Sequence, residues 1–160
     1  MKMLRTIRLD ASDANVFPEA ARPGEWAVTG TFAFADADPG AWSRKEQIAF
    51  RSGWLGTESL GRATFVQVAD IAGETFEQVV EQLARHFRER YGAPDAEAAS
   101  KAAREEVAYA AGLADQPPGT LLAIEREFRD DSIAERIKIV DTARRGDQHA
   151  RIWTVVDDQT

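Results

Sequence analysis

The chain has 160 residues, of which 44% are hydrophobic and 29% are charged, and this balance predicts one folded domain over residues 1–160. Its net charge of −7 is spread evenly, since the first 80 residues carry 8 basic and 11 acidic side chains and the last 80 carry 12 and 16. Nucleic acids and anionic membrane surfaces attract clustered Lys and Arg, so we expect neither as a partner.

Cysteine and long apolar runs are both missing from the sequence. Without cysteine the chain has no disulfide, no thiolate nucleophile and no Cys-ligated zinc or iron–sulfur site. The first ten residues alternate charged and apolar side chains, unlike the continuous apolar core of a signal peptide. No run approaches the roughly 20 apolar residues of a membrane helix. We therefore expect a cytoplasmic protein.

The first part of the chain predicts two strands and a helix. Residues 3–9 alternate apolar and polar side chains, as a strand does. Residues 26–34 alternate bulky and small side chains and predict a second strand. Ser43 and Glu46 have the S-x-x-E spacing of a capping box, which predicts a helix over 43–54.

Three glycines then fall within residues 51–65. We interpret Gly53 and Gly56 as a left-handed stop to the preceding helix, and Gly61 as the entry to a strand over 62–71. Another interpretation is that this corner binds a small molecule. The candidate ligand-binding residues are then Trp54, Glu58 and Arg62.

Two longer helices are predicted in the middle of the chain. A T-x-x-Q box at Thr75 and Gln78 predicts a helix that continues to Tyr91 and ends at Gly92. A second helix over 95–113 carries small and apolar residues at helical spacing, which permits close packing on a sheet or a neighbouring helix. These residues are Ala99, Ala103, Val107, Ala110 and Leu113.

The last third of the chain predicts a hairpin and a further strand. If Phe128 pairs with Ile133, residues 120–128 and 133–141 share an apolar face. The same register places opposite charges across the strands at Glu125–Arg136 and Arg126–Glu135. With a strand at 150–156, the fold class is α+β: one mainly antiparallel sheet of about six strands, about three helices packed on one face, and a C-terminal three-strand meander.

The sequence offers one candidate acid–base pair. His86 and His149 lie in no H-x-x-x-H, H-E-x-x-H or E-x-x-H motif, so we expect no metal centre, and no cofactor motif is present. Glu106 borders the small-residue stripe, where a half-buried carboxylate would have a raised pKa. Glu106 and His86 are therefore the catalytic candidates, although both also fit structural roles. The acidic loops DASDAN and DADPG fit Asx turns, with calcium binding as the alternative.

Four stretches resemble a family of small proteins of unknown function from alphaproteobacteria. They are "RTIRLDASDANVF", "GEWAVTGTFAFAD", "GWLGTESLGRATFV" and "AREEVAYAAGL". The resemblance extends over nearly the whole chain. The family has no assigned activity, so the resemblance implies no catalytic residue, cofactor or partner.

The tryptophans and the absence of catalytic motifs favour a role in binding rather than in catalysis. Trp26 and Trp54 fit a core, whereas Trp42, close to Pro39 and Gly40, is the candidate interface residue. No nucleophile, metal or phosphate motif is present, so we expect an accessory or interaction domain without catalysis that binds another protein or a second copy of itself. The alternatives are a small-molecule binding domain and an acid–base enzyme.

Overall fold

A computed structural model describes residues 1–9, 12–141 and 151–158, with side chains as far as Val140. The strands are β1 (Lys2–Ile7), β2 (Trp26–Val28), β3 (Trp54–Gly56), β4 (Arg62–Ala63), β5 (Phe65–Asp70), β6 (Leu121–Arg129), β7 (Ser132–Asp141) and β8 (Arg151–Asp158). The helices are α1 (Ser12–Val16), α2 (Arg44–Ser52), α3 (Gly73–Arg90) and α4 (Ala96–Leu113), with 3₁₀ segments at Thr31–Phe34 and Pro39–Ala41.

The strands form one antiparallel sheet in the order β4-β3-β2-β1-β5-β6-β7-β8. The predicted α+β class, the mainly antiparallel sheet and the C-terminal meander of β6, β7 and β8 are confirmed. The described residues form eight strands and four α-helices, where the sequence predicts about six and three. The additional elements β3 and α1 have only three and five residues, too few to leave a periodic pattern. The eighth strand arises because the strand predicted over 62–71 is divided at Thr64 into β4 and β5.

The predicted hairpin register is confirmed over β6 and β7. Phe128 pairs with Ile133, as expected from the apolar pattern. The other predicted pairs also lie opposite each other: Leu122 and Ile139, Ile124 and Ile137, Glu125 and Arg136, and Arg126 and Glu135. Since side chains alternate along a strand, Arg126 and Glu135 lie on the apolar face and are buried.

The predicted strand over 26–34 is wrong beyond Val28. Gly30 has a left-handed backbone conformation (φ +76°), which ends the extended chain. A Cβ atom on this residue would lie 2.6 Å from Nη1 of Arg62, so only glycine lets the buried guanidinium approach this closely. The chain continues as the 3₁₀ segment Thr31–Phe34.

The start of α2 follows the sequence prediction, but its end differs in conformation. Ser43 and Glu46 form both hydrogen bonds of the capping box. The helix ends at Gly53 as expected. Its backbone there is extended (φ −99°), so the predicted left-handed stop is wrong.

The predicted cap at Thr75 is wrong, because α3 begins two residues earlier, at Gly73. Ala72 occupies the N-cap position and provides no side-chain cap. The backbone N–H of Ile71 donates to the carbonyl of Met1, so pairing with the start of β1 fixes where the helix begins.

The two long helices complete the core. α4 packs on α3 and also contacts β1 and β2. The predicted small-residue stripe of α4 is buried along its whole length, as is the apolar stripe of α3. This close packing leaves the C-terminal end of α3 and the first half of α4 beside the 3₁₀ segment Thr31–Phe34.

Gly61 marks a point where two backbone segments meet. The N–H of Arg62 donates to the carbonyl of Glu19, and the N–H of Ala21 donates to the carbonyl of Arg62. A Cβ atom on Gly61 would lie 2.6 Å from backbone atoms of Ala20 and Ala21, which cannot move without breaking these bonds.

Gly61→Ala is therefore expected to lower the free energy of unfolding by about 2 kcal/mol or more. Gly112→Ala is the matched control, since a Cβ at that position in α4 meets nothing within 4 Å. The control should raise the stability by up to about 1 kcal/mol, because alanine favours the helix. Urea unfolding measures both changes, and equal effects of the two substitutions would contradict the packing described for Gly61.

Candidate functional site

A cleft of about 640 Å³ opens between the 3₁₀ segment Thr31–Phe34, the C-terminal end of α3 and the first half of α4. Phe32, Phe87 and Tyr91, whose rings contact one another, form an aromatic wall of it. Ala98 and Ala102 of α4 also line it, and their small side chains leave the space open. The volume lies in the range of cavities that hold small organic molecules.

The aromatic wall of the cleft is held by edge-to-face contacts. The ring of Phe32 lies 4.8 Å from that of Phe87 and 5.2 Å from that of Tyr91, at interplanar angles of 83° and 84°. Such pairs contribute about 0.5–1.5 kcal/mol each beyond the area they bury. Phe87 is buried and Tyr91 is exposed, so the wall runs from the core to the solvent.

Glu106 also lines this cleft and is half-buried. Burial, followed by the negative charges of Glu135 and Glu105, raises the pKa of its carboxyl to about 7. Because the folded chain holds this proton more tightly than the unfolded chain, Glu106 lowers the free energy of unfolding as the pH rises through about 7. The sequence-based expectation of a half-buried Glu106 agrees with this position.

Glu135 is a buried carboxylate within electrostatic reach of Glu106. The hydroxyl of Tyr109, on α4, donates to its Oε2 at 3.0 Å. The hydroxyl of Thr31 donates to its Oε1. Thr31 begins the 3₁₀ segment that carries Phe32, so the same residue connects Glu135 to the aromatic wall.

Arg126 fixes Thr31 from the interior of the protein. Its Nε donates to the Thr31 hydroxyl at 2.7 Å, so the predicted Arg126–Glu135 pair is bridged by that hydroxyl. The other acceptors are the carbonyl oxygens of Thr29, Ala49, Phe50 and Gly53. These five acceptors match the five N–H groups of a guanidinium. Burial and, after it, the nearby charge of Arg62 lower the pKa of Arg126 to about 9, against the opposing effect of the Glu135 charge.

Arg62, a predicted ligand-binding residue, is also buried on backbone carbonyls. Its guanidinium donates to Gly53 at 3.1 Å and to Gly30 at 3.2 Å. Burial lowers the pKa of Arg62 to about 10. The ring of Phe34 lies 4.6 Å from this guanidinium and 5.3 Å from that of Arg126.

The structure does not bring the predicted corner of Trp54, Glu58 and Arg62 together as a site. Trp54 is completely buried in the core, whereas Glu58 is exposed. The loop of Glu58 is held by the carboxylate of Glu25, which accepts from the N–H groups of Glu58 and Ser59. Arg62 instead lines a small pocket of about 180 Å³.

His86 and Glu106 lie in different surroundings. The Nε2 atom of His86 is 2.9 Å from the carbonyl oxygen of Thr57, on the loop after β3. Glu106 lines the cleft, and His86 is not among the described residues that line it. The predicted acid–base pair is therefore not assembled at this site. His149 lies outside the described residues.

Trp42, the predicted interface residue, is half-buried in an aromatic cluster. Its ring lies 5.2 Å from that of Phe50 and 6.0 Å from that of Phe128. Phe128 stacks on Phe50 at 4.5 Å and remains 44% exposed. The interface role of this cluster stays a prediction.

Within the described part of the chain, no three His, Asp or Glu side chains are grouped so that they could hold a metal ion. The same residues include no helix with the length and apolar character needed to span a membrane.

The sequence patterns do not predict the aromatic wall or the buried acid of this site. The predicted strand over 26–34 includes Phe32, and Tyr91 marks only the predicted end of a helix. A usable signal existed for Glu135 and Arg126, because the predicted register places both on the apolar face of the hairpin. Charged residues on such a face are expected to be buried and hydrogen-bonded.

Arg126→Met is expected to lower the free energy of unfolding by about 3 kcal/mol or more, because it removes the donor to the buried carbonyls of Thr29 and Phe50 and the positive charge near the buried Glu135. Arg129→Met on the same strand is the control. Its ion pair with Glu127 is more than half exposed, so the loss should stay below about 1 kcal/mol. Chemical unfolding at neutral pH measures both values. A small loss for Arg126→Met would contradict the role given to this guanidinium.

The sequence of the chain matches a protein family over nearly its whole length. No curated protein and no solved structure matches the chain. The family model that does match is that of a family of unknown function, DUF6505, over residues 1–157, and it agrees with the resemblance seen in the sequence. The chain therefore belongs to the family of unknown function DUF6505.

Proposed function

We propose that this chain is a small-molecule binding domain whose ligand occupies the cleft between Thr31–Phe34, α3 and α4. The observation that supports this function best is the composition of the cleft: an aromatic wall next to a half-buried carboxyl, around a volume of about 640 Å³. Concave sites with mostly apolar linings and a few placed polar groups are the usual form of ligand pockets. A carboxyl with a shifted pKa inside the site adds to the argument.

The proposal does not include catalysis. His86, the predicted acid–base partner of Glu106, is hydrogen-bonded to the loop at Thr57 and is not among the described residues that line the cleft. Glu106 is therefore assigned to binding rather than to proton transfer in a reaction. We also propose a cytoplasmic location, which a chain without cysteine fits.

Filling the cleft tests the binding function. Ala102→Leu adds a bulky side chain inside the cleft, whereas Ala108→Leu makes the same change at an exposed position of α4. A mixture of small aromatic alcohols and amines, added to labelled protein, should shift the amide NMR signals of Phe32, Tyr91 and Ala102. Ala102→Leu should weaken the binding at least about tenfold, and Ala108→Leu should leave it unchanged.

The binding function is contradicted if these probes shift no cleft signal, or if both leucine variants bind them equally. Urea unfolding of the two variants shows whether each one is folded, so that lost binding is not confused with lost structure.

We also propose a second function, contact with another protein, for the aromatic cluster of Trp42, Phe50 and Phe128. An ordered aromatic stack that remains 44% exposed at Phe128 is the kind of group that anchors interfaces. The partner is a second copy of this chain or another protein, as in the accessory role expected from the sequence.

The case of a second copy is tested by sedimentation equilibrium. Phe128→Ser should weaken self-association at least about tenfold, since it removes the exposed part of the stack. Leu9→Ser is the control, because Leu9 is 54% exposed and belongs to no aromatic cluster among the described residues. A wild-type chain that stays monomeric, or equal effects of both substitutions, would rule out self-association through this cluster.

A further inference from the structure

We propose that the ligand of the cleft is an organic ammonium ion, with its charged nitrogen against Glu106 and its apolar body against Phe32 and Tyr91. This inference rests on the proposed binding function and adds the chemical class of the ligand. It follows from the charge of the lining, the position of the nearby basic groups and the chemistry of the aromatic wall.

The charged groups that line the cleft are of one sign in the described part of the chain. Asp36, Glu105 and Glu106 line it, and no Lys or Arg does. Glu135 adds a buried carboxylate whose charge acts on Glu106. Such a lining attracts a positive ligand and repels a carboxylate or a phosphate.

Two arginines on elements near the cleft, Arg104 and Arg126, have other partners. Arg104, also on α4, forms an exposed ion pair with Glu77 at 2.6 Å. Arg126 donates to Thr31 and to four backbone carbonyls, which uses its five N–H groups. Both guanidinium groups therefore have acceptors other than Glu106.

The aromatic wall distinguishes an organic cation from a metal ion. Metal ions such as calcium and magnesium need several oxygen ligands around one point, and no such group exists among the described residues. The rings of Phe32 and Tyr91 offer an apolar surface next to the carboxylates. Aromatic faces beside acidic groups favour an ammonium ion attached to hydrocarbon.

Binding of such a cation is coupled to the proton of Glu106. The charged groups that act on this carboxyl are Glu135 on β7 and Glu105 on α4; Asp36 and Tyr91 also line the cleft, and Tyr109 is hydrogen-bonded to Glu135. The charges of Glu135 and Glu105 favour the protonated form of Glu106 when the cleft is empty. A bound ammonium favours the ionised form, so affinity should rise between about pH 6 and about pH 8 and a proton should be released.

Three probes of nearly equal shape test this inference: 2-phenylethylamine, 2-phenylethanol and 3-phenylpropionate. Each is titrated into the wild-type chain at about pH 7.5 and followed by calorimetry and by NMR signals of the cleft. The amine should bind at least about tenfold more tightly than the alcohol, and the carboxylate should bind most weakly. Calorimetry in two buffers of different ionisation enthalpy should show proton release with the amine only.

Glu106→Gln should reduce the affinity for the amine to that for the alcohol, which itself should not change. Glu81→Gln, at an exposed position of α3 outside the cleft, removes the same charge and should preserve the preference. If the alcohol or the carboxylate binds as tightly as the amine, the cation inference is overturned while the binding function stands. If none of the three probes shifts a cleft signal, the binding function itself fails.

Discussion

A buried guanidinium has to meet hydrogen-bond acceptors on all sides, and in this protein Arg126 organises the surrounding chain for that reason. Its five acceptors come from the segment after β2, the C-terminal end of α2 and the first residue of the 3₁₀ segment. Arg126 itself belongs to β6, so one side chain joins four parts of the sequence. The carbonyl ends of α2 also carry the negative pole of the helix, which favours a cation there.

The candidate site depends on the same interaction. Arg126 holds Thr31, and Thr31 both begins the segment of Phe32 and donates to Glu135. Thr31, held by Arg126, therefore positions both the aromatic wall and the buried Glu135 near Glu106. Gly30, whose left-handed backbone precedes Thr31, leaves room for Arg62. The side of the cleft formed by Thr31–Phe34 thus depends on the hydrogen bonds of two buried arginines as well as on the packing of α3 and α4.

The sequence predicts those parts of the fold whose information is local or periodic. The alternation in 120–141 determines the hairpin register, and the spacing in 95–113 determines the buried face of α4, because each pattern allows a single arrangement. The segment 26–34 also alternates, yet Gly30 and the approach of Arg62 end its strand. Arg62 is distant from Gly30 in the sequence, so a local pattern cannot predict that the two residues meet. The same holds for the hydrogen bonds of Glu25, His86 and Thr31, whose partners are also distant in the sequence. The helical spacing of 95–113 predicts that Glu106 borders the buried face of α4. The aromatic residues that line the cleft with it come from other elements, so no local pattern predicts that they meet.

The buried groups around Thr31 support the aromatic wall of the cleft beside the ionisable carboxyl of Glu106. The most direct test is the pKa of Glu106, measured by carbon-13 NMR of its side-chain carboxyl in the ligand-free chain. The account predicts a pKa of about 7, because the carboxyl is partly buried and lies near the charge of Glu135. A pKa at the usual value of 4.5 would contradict it, since Glu106 would then be a solvated surface group.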